Sequence, residues 1–110
     1  MEDLRFRKQT DDLGRVIALE LGGPLILANA QQLKTELIGV INLLSHQIKI
    51  TVAEPEEIDL SCIQLIKAFF NRLDEAKIMY QVEWSLDEEQ RLLLEHVGLS
   101  DELFLNNKYV

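Results

Sequence analysis

The 110-residue chain has one cysteine, Cys62, so no internal disulfide can form. Neither Cys62 nor the two histidines, His46 and His96, falls in a spacing that would hold zinc. With five glycines and two prolines there is no Gly/Ser/Pro-rich linker, and no internal repeat or low-complexity tract occurs. No apolar run approaches the roughly 18 residues needed to cross a membrane. The opening stretch, Met1 to Arg7, carries charges where a secretion signal needs an apolar segment. These absences make the cytoplasm the expected compartment. Basic residues are in deficit as well, 11 against 19 acidic, for a formal charge of −8 and a pI of about 4.7. Phosphate backbones and anionic lipid surfaces repel such a chain, so neither nucleic-acid binding nor direct membrane insertion is expected. Arg5, Arg7, Lys8 and Arg15 gather near the start, where they read as solvated or paired charges on a sheet edge.

What is present is ordinary for a globular protein: 47% hydrophobic and 27% charged residues. That balance excludes intrinsic disorder and collagen-like or coiled-coil chains. The length suits a single domain spanning residues 1–110.

Periodicity orders the elements. Leu4 to Arg7 alternates with period two, and a turn at Asp11-Asp12-Leu13-Gly14 leads into the near-continuous apolar strand Val16 to Leu21. Gly22-Gly23-Pro24 ends it, and Leu25-Ile26-Leu27 is expected as a short third strand. Leu33, Leu37, Val40, Ile41 and Leu44 then recur at spacings of three and four, a helical stripe with Asn29 as its expected N-cap. His46 falls in the turn after it, and Ile48 to Val52 is the next strand. Ser61 with Gln64 has capping-box spacing and opens a second helix with Leu65, Ile66, Phe69 and Leu73 on its core face, extended by Cys62 and Ala76. Ile78 to Trp84 alternates again. Ser85 with Glu88 repeats the cap signature before a third helix carried by Leu92, Leu93, His96 and Val97 and stopped at Gly98. Ser100 to Phe104 reads as one more short helical turn. Strands followed by helix–strand–helix–strand–helix define an α/β domain: a mixed sheet of four to five strands packed with about four helices.

Catalytic signatures are sparse. Gly22-Gly23 is followed by Pro24, which has no amide donor, and no Lys-Ser/Thr pair completes a phosphate loop. No Gly-x-Ser-x-Gly turn presents a nucleophile. Cys62 reads as a small buried residue on an apolar stripe, with a reactive thiol at a helix N-terminus as the alternative. The two histidines read as surface residues, His96 near a helix end that favours positive charge.

One segment is unusual. Glu54-Pro55-Glu56-Glu57-Ile58-Asp59 puts four carboxylates in six residues, and no Lys or Arg occurs between Lys49 and Lys67. A solvated loop, a docking surface for a basic partner and a divalent-metal site are the three readings, and no Gly-centred calcium-loop spacing favours the last. Loops at the carboxyl ends of strands in open α/β sheets commonly carry the site.

At these residues the chain resembles the STAS domain, the module shared by sulfate transporters and anti-sigma-factor antagonists. The likeness runs through Ile48-Lys49-Ile50-Thr51-Val52, then Ile58-Asp59-Leu60-Ser61-Cys62-Ile63, then Leu92 to Leu99. Upstream, Leu19 to Leu25 and Ala28 to Leu33 are similar to the family's strand, glycine and first helix. The resemblance implies a STAS-like fold and a regulatory module that is not an enzyme, carries no cofactor, and binds a protein. Partners of that kind are an anti-sigma factor or kinase-like protein, or a subunit of an ABC-type transporter complex; a weak homo-oligomer is compatible. In anti-sigma antagonists the Ser or Thr after the aspartate is phosphorylated to release the partner. The aspartate carries over to Asp59, but the acceptor position falls on Leu60, and Cys62 replaces the family glycine. The expected partner-binding set is therefore Glu56, Glu57, Asp59, Leu60, Ser61, Cys62 and Gln64. Leu60 serves as apolar anchor, and Ser61 is a helix cap or a substitute phosphorylation site. A metal-dependent enzyme using the acidic loop is the rival from a different class.

Overall fold

Period-two alternation builds the sheet. In the computed structural model, which describes residues 3–53 and 55–96, β1 (Arg5–Thr10) pairs antiparallel with β2 (Val16–Gly22). Asp11 folds the turn between them: its Oδ1 accepts the amides of Leu13 and Arg15, each at 2.9 Å. β2 runs parallel to β4 (Leu44–Val52), and β4 parallel to β6 (Met79–Trp84), for a strand order β1-β2-β4-β6. The two parallel crossings pass through α1 (Leu27–Val40), which ends in a 3-10 turn at Ile41–Leu43, and α2 (Leu60–Glu75). Successive right-handed crossovers in one direction put both helices on the same face, where they pack together. Each returns antiparallel to the strands it joins, so α1 and α2 run parallel to one another.

The core lies between that face and the helices. Leu19 sits opposite Ile50, which sits opposite Val82; Leu21, Val52 and Trp84 form the next row. All six are buried beneath Leu33, Leu37 and Val40 of α1 and Ile63, Ile66, Phe70 and Leu73 of α2. Phe70 stacks on Tyr80 with ring centroids 5.2 Å apart, tying α2 to β6.

A separate two-stranded parallel ladder, β3 (Pro24–Leu25) with β5 (Glu57–Ile58), forms beyond the carboxyl end of the main sheet. Gly23 bends the chain into it at φ +74°, and a Cβ there would meet the Asp3 carbonyl oxygen at 2.6 Å, so only glycine fits.

The α/β class and the mixed four-stranded sheet are as the sequence indicates, but several boundaries move. The expected third strand shrinks to Pro24–Leu25 and joins its own ladder, while Leu27 already belongs to α1. Asn29 is therefore inside the helix and uses its Nδ2 to reach the Pro24 carbonyl at 2.8 Å. Leu44 and His46 belong to β4, not to a helix end and turn. Residues three apart match a helical stripe without marking where the helix stops, and here it stops at Val40, just past Gly39. The capping residue before α2 is Asp59, with Ser61 already the second residue of the helix. Ser85 does not cap α3 (Glu88–His96): its amide extends the sheet to the Val52 carbonyl at 2.9 Å. Asp87 and Gln90 form the reciprocal box instead, at 2.8 and 3.1 Å. In α3 the core residue is Leu94, whereas Leu92 is 50% exposed. The described residues hold three α-helices, not four. The expected turn at Ser100 to Phe104, with Val97 and Gly98, lies outside the described residues.

Candidate functional site

The small ladder decides the geometry of the site. Leu25 stands opposite Ile58, so two residues further on both chains start a helix together, α1 at Leu27 and α2 at Leu60. The residues between, Ile26 and Asp59, are the two N-caps and share one extended conformation, φ −124° and −125°. Ile26 has no side chain able to cap. Asp59 serves both helices. Its Oδ2 accepts the Leu27 amide at 2.8 Å, and its Oδ1 accepts the Ser61 amide at 3.1 Å and the Cys62 amide at 3.4 Å. The Ser61 hydroxyl donates to the same Oδ1. Two sets of free helix amides thus converge on one carboxylate, an arrangement favoured by the positive ends of both helix dipoles.

The electrostatics follow from those contacts. Partial burial pushes the Asp59 carboxyl up, but the Ser61 hydroxyl and the amides of Leu27, Cys62 and Ser61 outweigh it, and the group titrates below its ordinary value. For Cys62 burial comes first and the Asp59 charge second; together they push the thiol up to about 11. Its Sγ lies 3.5 Å from the Ile26 carbonyl oxygen, under the tip.

The residues expected to meet a partner are only partly presented. Glu56, Glu57 and Gln64 are exposed, Leu60 is 42% exposed, and Asp59 and Ser61 are half-buried. Cys62 is fully buried and offers no surface, so its place in the expected partner-binding set is corrected: it points from the first turn of α2 into the core. Glu54 lies outside the described residues. Pro55 is held by α3, whose Gln90 Nε2 donates to its carbonyl at 2.9 Å.

Sequence reasoning missed Leu27. It is 72% exposed and occupies in α1 the position that Leu60 occupies in α2. The sequence carries only a faint parallel: in Leu25-Ile26-Leu27 and Ile58-Asp59-Leu60 two aliphatic residues flank the one that becomes the N-cap, and a small residue follows each.

No three His, Cys, Asp or Glu side chains among the described residues come together as a metal site. No helix among them is long and apolar enough to cross a membrane. No protein-family profile matches the chain, and no curated protein matches it as a relative.

Proposed function

We propose that the protein is a STAS-like regulatory module that performs no chemistry and docks a partner protein through the paired helix starts. The observation that carries this reading is the exposure of Leu27 and Leu60 at equivalent positions of adjacent helices, with Glu56 and Glu57 exposed in the loop before α2. Apolar anchors inside a charged rim are how transient protein interfaces are built: the anchors give affinity, and the rim gives orientation and rate. The matching surface on the partner is an apolar hollow bordered by Lys and Arg.

The aspartate of the resembled motif acts here as a shared cap. Asp59 is engaged by four donors, and Ser61 gives its hydroxyl to that carboxylate. A phosphate on Ser61 would carry about −1.5 to −2 charge against Asp59. Leu60, at the usual acceptor position, has no hydroxyl. Docking is therefore constitutive, with an anti-sigma-type kinase or a transporter subunit as the partner classes the resemblance suggests.

Affinity capture from native lysate, with mass spectrometry of what is retained, tests the reading. The protein should retain a partner that Leu60→Lys and Leu27→Lys each release, while circular dichroism stays unchanged. Capture that persists through both substitutions would place the interface elsewhere. Incubation with an anti-sigma kinase and ATP should leave the mass unaltered, and phosphate mapped to Ser61 would overturn the constitutive reading.

A further inference from the structure

A groove between α1 and α2 opens to solvent along the helical layer. Lys34, Leu37, Ile38 and Ile41 line one wall, and Leu65, Ala68, Phe69 and Arg72 line the other, enclosing about 350 Å³. Each wall follows the same steps of three, one and three residues, the stripe of a single helical face. Leu37 and Phe69 form a buried floor, and Ile38 stands 60% exposed on the rim.

The charges are placed asymmetrically. Lys34 is the first residue of one stripe and Arg72 the last of the other. Because the helices run parallel, the two cations stand at opposite ends of the groove, separated by one to two helical turns, ~7–10 Å along the axis. Beyond the Lys34 end the groove continues past Gln31 toward Ser61 and Gln64. Among the described residues no carboxylate lines it, in a chain with 19 acidic and 11 basic residues.

We infer that this groove receives an amphipathic helix of another protein, with adjacent large apolar side chains over Leu37, Ile38 and Phe69 and a carboxylate at each end, on Lys34 and Arg72. Two helical ridges with a straight furrow between them accept a third helix by ridge-into-groove packing, read through anchors at i, i+3, i+4 and i+7. The two cations fix the polar ends of that pattern: acidic residues seven positions apart, flanking apolar residues at the third and fourth steps. A single-headed anion such as a fatty acid would satisfy one cation only. Neither Leu27 nor Leu60 lines the groove, so groove and tip are separable surfaces.

Panning an unbiased display library of 16-residue peptides against the full-length protein tests it. Enriched peptides should carry two acids seven residues apart around an apolar pair. The best synthetic peptide should gain helicity on binding, weaken at least tenfold on Ile38→Asp, Arg72→Glu or Lys34→Glu, and bind Leu60→Lys unchanged. These positions are exposed, and circular dichroism confirms that the variants fold. Absence of enrichment, winners without acidic residues, or a winner indifferent to Ile38→Asp and Arg72→Glu would each overturn the inference. So would cross-linking that shows the groove filled by a second copy or by the chain's own residues 97–110.

Discussion

Asp59 accepts the amide of Leu27 at 2.8 Å across 32 positions of sequence. The contact makes one side chain the cap of two helices, because the β3/β5 ladder brings the helix that lacks a capping residue beside the helix that has one.

Removing that carboxylate should weaken both helix starts. Loss of a side-chain N-cap costs ~0.5–2 kcal/mol for one helix, so Asp59→Ala is expected to lose roughly 2 kcal/mol, combining two such caps. At ~4–8 °C per kcal/mol for a small domain, the melting temperature should fall by roughly 10 °C. Asp59→Asn keeps one acceptor oxygen and should lose less. Thermal and urea melts of the two variants check the order. An Asp59→Ala protein that melts with the unsubstituted one would show that the shared cap adds nothing.

Acid should act on the same group. Its folded-state titration lies below the ordinary carboxylate value, so the folded protein holds this proton less tightly than the unfolded chain. The stabilisation is then complete above the unfolded pKa of ~3.9 and drains away as pH falls through the lower folded value. The gap in melting temperature between the unsubstituted protein and Asp59→Asn should be constant near neutrality and close below about pH 4. A gap that is flat down to strongly acidic pH would show that Asp59 titrates alike in both states.

Cys62 titrates in the opposite sense. Its thiol is raised to about 11 in the fold and returns to ~8.5 when the chain unfolds. Folding keeps the proton, so no stability is lost below the unfolded value, and the loss grows as pH rises toward the folded one. Iodoacetamide at pH 8 should alkylate the native protein slowly and the urea-unfolded protein fast, with native labelling limited by opening of the fold. Equal rates in the two states would contradict both the burial and the raised pKa.

Strand and helix order was legible in the sequence because it depends on periodicity, which Val16 to Leu21, Ile48 to Val52 and the α2 stripe display plainly. Boundaries were less legible, since competing groups satisfy the same local rule. Ser85-x-x-Glu88 and Asp87-x-x-Gln90 are both capping boxes on paper, and the Val52 carbonyl decides between them by claiming the Ser85 amide. The candidate site was half visible. Leu60 stood out among acids, whereas Leu27 was marked only by the faint parallel between residues 25–27 and 58–60. Its significance is tertiary, created when Leu25 registers with Ile58. The groove was invisible for the same reason: Lys34 and Arg72 are 38 residues apart in number, and only the parallel run of the two helices sets them at its ends.

A carboxylate shared by two helices also links their fates. If the first turn of α2 lifts away, α1 loses the carboxylate that accepts its first amide in the same motion, so the first amides of both should exchange with solvent in step. Whatever pries at one leucine of the tip therefore loosens the other, and the two behave as one latch.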